Sequence, residues 1–113
     1  MLLYTTQSIF DTAKLSGLTV YVTEDDNVKF AFFFDGGNAV TIPLYDEAES
    51  IADKDKKAFA QALHRDIYEA WLADVAYFNI VEWAMVFSNN LAEPEAIPES
   101  PYKRAIGFYD NQK

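Results

Sequence analysis

Apolar and polar positions alternate most clearly between residues 18 and 44. Leu18, Val20 and Val22 interleave with Thr19, Tyr21 and Thr23, the two-residue period of a half-buried strand. Glu24-Asp25-Asp26-Asn27 is a turn whose side chains fold back on their own backbone, and Val28 to Phe34 is a second, more apolar strand. Asp35-Gly36-Gly37-Asn38 has the backbone freedom of a tight hairpin, and Ala39 to Leu44 reads as the third strand. Pro43 has no amide donor, which ends that strand or places it at an edge. The pattern predicts an antiparallel meander.

Two helical signals flank it. Ser8 is positioned to cap a short helix over Ile9 to Leu15, with Asp11 in its first turn, Lys14 in its last and Gly17 beyond, and Tyr4 with Leu2 or Leu3 reads as a brief strand ahead of it. After Ser50 the period lengthens. Phe59, Leu63, Ile67, Trp71, Val75 and Phe78 recur at helical spacing behind Asp53 and Asp55. Unbroken from Lys54 to Asn90, this helix would reach roughly 50 Å at 1.5 Å per residue, which is too long for one small domain. A break is therefore expected between Ala76 and Asn79. The half beyond it, Ile80 to Phe87, is apolar on nearly every side, so a homodimer contact is expected there through Ile80, Trp83, Val86 and Phe87.

The expected fold is α+β: a short amino-terminal helix, an antiparallel sheet of three or four strands, and a long broken helix packed on one face. Residues 1–92 form the domain. Residues 93–101 are an acidic linker punctuated by Pro94, Pro98 and Pro101 that should run extended, and residues 102–113 return to order as a terminal strand or arm.

Composition narrows the function classes. The 113 residues are 50% hydrophobic and 16% aromatic, enough to build a core without disulfide or metal. There is no Cys, which removes thiolate nucleophiles and thiolate zinc sites. Nine basic residues face eighteen acids, a net charge of −9 that opposes contact with nucleic acid or anionic lipid. The apolar run Ala70 to Phe87 carries Asp74, Asn79 and Glu82, which exclude a membrane span. Met1 to Ser8 lacks the positive and apolar regions of a secretory signal, so a cytoplasmic location is expected.

Catalytic chemistry finds little support. The single histidine, His64, has Arg65, Asp66 and Glu69 nearby, but no activated Ser, Cys or Lys stands in a recognisable pairing with it. One imidazole among scattered acids has no metal-ligand spacing, so no metal and no cofactor are expected. Gly36-Gly37 lies between two strands, whereas a phosphate cradle opens a helix. The chain reads as a non-enzyme.

Two features point to binding. The aromatic residues exceed what one small core needs, and exposed aromatic patches mark protein contacts. The acids are also grouped: eight with one Lys from Glu24 through Asp53, and seven with no base from Asp66 through Tyr102. Carboxylates in rows imitate the phosphates of a duplex and fit the basic surface of a nucleic-acid-binding protein. Asp46, Glu47, Glu49 and Asp53, with Glu93, Glu95 and Glu99, are the partner-binding candidates. In size, acidity and lack of motifs the chain is similar to the small inhibitors that phages and mobile elements carry against restriction or CRISPR enzymes, a likeness of composition alone. The alternative expectation is a self-associating structural or assembly subunit with no inhibitory role.

Overall fold

The computed structural model describes residues 1–107. The brief strand expected at Leu2 to Tyr4 is present as β1 (Leu2–Tyr4), but a strand stands where the helix is expected: β1 pairs antiparallel with β2 (Ile9–Asp11), Leu3 opposite Phe10. The reason lies in Thr5, whose hydroxyl accepts from the backbone amides of Gln7 and Ser8 while its own amide bonds the Ser8 carbonyl. This hydroxyl turn takes the place of the helix cap assigned to Ser8. Only Thr12–Lys14 is helical, as one 3₁₀ turn capped by Asp11.

The meander follows as read. β3 (Leu15–Val22), β4 (Val28–Phe34) and β5 (Ala39–Pro43) form a three-stranded antiparallel sheet in that order. β3 starts earlier than the alternation suggests because a register shift between Leu15 and Gly17 carries the pairing past Gly17. Gly36 and Gly37 adopt φ of 94° and 89° in the hairpin. Val20, Phe30 and Phe32 turn inward, and Phe10 of the other sheet packs its ring 4.5 Å from that of Phe32.

α1 (Lys56–Leu72) buries Phe59, Leu63, Ile67 and Ala70 on one face, close to the expected set. It ends at a Schellman motif: Asp74 sits at φ 52°, its amide bonds the Trp71 carbonyl, and the Val75 amide bonds that of Ala70. An aspartate here fills the place usual for glycine. The break therefore begins before Ala76, and β6 (Tyr77–Asn79) occupies the interval assigned to it. β6 runs parallel to β1 and completes a second sheet of order β2-β1-β6. Asn79 then caps α2 (Ile80–Ala92), its carboxamide oxygen accepting from the Glu82 amide.

α1 and α2 are joined by a buried polar contact. The indole Nε1 of Trp83 donates to Asp66 Oδ2 at 2.8 Å, and Asp66 Oδ1 takes Arg65 Nε at 3.1 Å. The Trp83 ring stacks on Phe87 and meets Phe59 edge-on. Full burial of a side chain such as Phe59 contributes about 1.5–3 kcal/mol.

The carboxyl-terminal region also differs from expectation. The backbone turns at Glu93 to Ala96, and Pro101–Ala105 is a short helix, α3, with Ser100 as its cap. Pro101 at the first helical position starts a helix as readily as it would end one. α3 packs on the domain: Ala105 is fully buried and the Tyr102 ring lies 6.4 Å from that of Phe78. Gly107, at φ 68°, follows α3 where a side chain would collide with Tyr77. The expected strand or arm over residues 102–113 is thus a helix through Ala105, and residues 108–113 lie outside the described residues.

Candidate functional site

A groove of about 380 Å³ lies between α2 and the segment that follows β5. Leu44, Ala48 and Ile51 are the anchors of that segment, all buried at helix-like spacing. The amide of Ala48 bonds the Leu44 carbonyl and that of Ile51 bonds Ala48, so the intervening residues wind through successive turns. Tyr45, Asp46 and Glu49 are left exposed between the anchors. Glu47 is turned inward instead: 8% exposed, it accepts the Thr6 amide on Oε2 at 2.9 Å.

The opposite wall is the outer side of α2. Val81 and Met85 are 41% and 47% exposed, and with Ser88 they follow one another at i, i+4 and i+7 along the helix. Ser50 and Ser88 close the floor through a hydroxyl contact of 2.8 Å. Asp46 and Glu47 therefore stand across from an apolar stripe, and among the described residues no Lys or Arg lines the groove.

The other sequence candidates are dispersed. Asp53 is exposed, pairs with Lys56 at 2.9 Å and borders a different groove of about 450 Å³ between β3 and α1. Glu93 and Glu95 are exposed in the turn after α2, with Glu93 four residues beyond Asn89 of the first groove. Glu99 serves the structure. Its carboxylate takes Arg104 Nη2 at 2.6 Å, and its backbone exchanges hydrogen bonds with the Asn90 carboxamide. The guanidinium of Arg104 is raised above its ordinary pKa, first by that hydrogen bond, with Glu82 adding to it.

The self-association set needs correction in this conformation. Ile80, Trp83 and Val86 are buried inside the chain's own core, and Phe87 is half-buried against Phe59. They cover the inner side of α2, so a contact on this helix would use Val81 and Met85. The surplus of aromatic residues is absorbed similarly, because the second sheet and the helices packed with it offer more inner surface than a single sheet. Tyr21, Phe33, Tyr45 and Tyr68 remain exposed. His64 is half-buried, and the nearby Asp66 has its oxygens engaged by Trp83 and Arg65.

The stripe of Val81, Met85 and Ser88 was readable from helical spacing once the start of α2 at Ile80 was known. Thr6 carried no signal, since its role depends on a contact with a residue 41 positions away. Among the described residues no group of three or more metal-ligating side chains comes together, and no helix is long and apolar enough to cross a membrane. Comparison with protein-family models, curated proteins and solved structures finds no match to this chain.

Proposed function

We propose that the protein is a non-enzymatic binding module, an acidic inhibitor of the anti-defence type that occupies the basic surface of a nucleic-acid-binding protein. The observation that carries this reading is the groove between residues 44–51 and α2. Its carboxylates and its Val81–Met85 stripe form a lining that has no Lys or Arg among the described residues. A cationic side chain entering there meets Asp46, and its aliphatic stem lies on the apolar stripe, the contact that long basic side chains favour. Glu47 is held by Thr6, so its charge is fixed in place before a partner arrives. Glu49, Glu93 and Glu95 are exposed nearby in sequence and add to the attractive field.

The test uses immobilised protein to retain a basic partner. Retention should weaken steeply with ionic strength, and duplex DNA should compete for the same partner surface. Asp46→Lys with Glu49→Lys should abolish retention while the chain stays folded, because both carboxylates are exposed and neither has a side-chain partner among the described residues. A partner that ignores salt, tolerates DNA and survives the double reversal would overturn the reading.

A further inference from the structure

We infer that β5 is a self-pairing edge, at which a second copy of this chain adds its own β5 antiparallel and doubles the three-stranded sheet. The inference starts from hydrogen-bond direction. The amide of Phe34 bonds the Asn38 carbonyl and that of Leu44 bonds the Val28 carbonyl, so residues 38 and 44 face β4. By the two-residue alternation of an antiparallel ladder, Val40 and Ile42 face β4 as well. Ala39 and Thr41 therefore direct both their N–H and C=O groups away from the sheet, and Pro43 directs its carbonyl there. Ala39, Val40 and Thr41 are exposed, and among the described residues no strand lies on the far side of β5.

The other edges are guarded. β3 directs the backbone N–H and C=O groups of Val20 and Val22 to its open side by the same alternation, read from the Thr23 to Asn27 hydrogen bond, but that edge opens into the groove walled by α1, Asp26 and Asp53. β2 spans three residues and ends in a charge, Asp11. Short edges and charges are the usual protections against strand addition. β6 is likewise only three residues long, and β3, though long and uncharged, lies beneath α1. Among the described edges, β5 alone is neither short, charged nor set beside a helix: Ala-Val-Thr-Ile-Pro carries no charge, and only Pro43 interrupts its donors.

Charge and symmetry identify the occupant. Two copies at −9 repel wherever their acids face each other, and β5 is a strand from which acids are absent. Its neighbours on the outward-facing side of the sheet by register are Ala31 and Phe33, with Lys29 beside Pro43. A two-fold axis at Thr41 lets Thr41 and the partner's Thr41 exchange reciprocal hydrogen bonds, while Ala39 N–H reaches the carbonyl of the partner's Pro43. The missing amide of Pro43 then leaves only the Ala39 carbonyl to water. Asp35 and Asp46 lie beyond the ends of the strand, so their residual repulsion gives this contact a recognisable salt dependence. Salt should tighten it, whereas the acidic groove should lose its partner as salt rises.

Sedimentation of the full chain across the micromolar range should show a monomer–dimer equilibrium that shifts toward dimer with added salt. Amide exchange at Ala39 and Thr41 should slow as concentration rises, while Val40 and Ile42 stay protected throughout. Thr41→Pro removes an outward donor without touching the β4 ladder and should weaken the dimer about tenfold or more. Thr41→Lys, which brings like charges together at the axis, should do the same and decides the matter if the proline variant fails to fold. The inference is overturned by a chain that remains monomeric, by a dimer that survives both substitutions or weakens in salt, or by protection of Ala39 and Thr41 that does not depend on concentration. The last outcome would mean that the chain covers the edge itself.

Discussion

α2 and β5 reverse what their compositions suggest. Ile80 to Phe87 is the more apolar segment, yet its inner side disappears into the core, with Trp83 and Ile80 fully buried. β5 is milder in character and remains open along one side, with Val40 45% exposed. The difference comes from what the chain does next. After α2 it turns back and lays α3 against the same region, and α1 has already supplied Phe59 and Asp66 to the other flank. After β5 it leaves the sheet at Leu44, whose amide still bonds β4, and no later described strand returns to the edge. Composition gives the apolar area that a segment offers; topology decides whether anything covers it.

The largest effect that would break this contrast concerns Trp83. Trp83→Ala should cost about 3–5 kcal/mol, because it opens a cavity beneath Phe59 and Phe87. It also strips Asp66 of its indole donor, leaving a buried carboxylate oxygen in need of a partner. Met85→Ala, on the exposed side of the same helix, should change stability by no more than about 0.5 kcal/mol. Urea denaturation of both variants checks the pair. Equal, small shifts would return the inner side of α2 to the surface and restore Trp83 as a candidate for contact with another chain.

The comparison also separates what the sequence reveals from what it conceals. The meander was legible because alternation, a polar turn and a Gly-Gly hairpin agree from Leu18 to Leu44. The heart of α1 was legible from Phe59, Leu63 and Ile67. The second arm of the amino-terminal hairpin was hidden, since Ser8, Asp11 and Lys14 satisfy the rules for a helix while Thr5 supplies a competing turn. The end of α1 was masked by Asp74, a residue that adopts the left-handed conformation less readily than glycine. β6 was hidden because a three-residue strand has too little pattern to register, and its pairing with β1 spans most of the chain. At the candidate site, Asp46 was visible as part of an acid cluster. That Glu47 and Glu99 are held by Thr6 and Arg104 depends on tertiary contacts that no local pattern encodes.

A smaller effect sharpens the β5 side. Gly36 and Gly37 both lie at positive φ, and a Cβ on either would meet nothing within 4 Å, so a substitution there is penalised through the backbone alone. Replacing both with Val should destabilise by about 2 kcal/mol, β-branched residues being poorly suited to that region. The loss should appear in the denaturation midpoint and, if β5 pairs between copies, as weaker dimerisation. An unchanged midpoint would show that the hairpin tolerates another turn and that the position of β5 is less firmly set than its register implies.

The smallest effect belongs to the cover over the core beside α2. Tyr102 packs near Phe78, and its phenol is raised above the ordinary 10.0, first by burial and then by the negative fields of Glu69 and Asp66. Both causes favour the neutral phenol, so between the ordinary and the raised value the folded chain holds a proton that the unfolded chain has lost. Stability from this group is therefore complete below 10.0 and declines as pH rises through the folded value. An absorbance titration of the tyrosines should contain a late component that Tyr102→Phe removes, and the variant should lose less stability in alkali than the parent. If α3 does not stay docked, burial is relieved, the late component vanishes from the parent itself, and the inner side of α2 near Phe78 loses part of the cover that distinguishes it from β5.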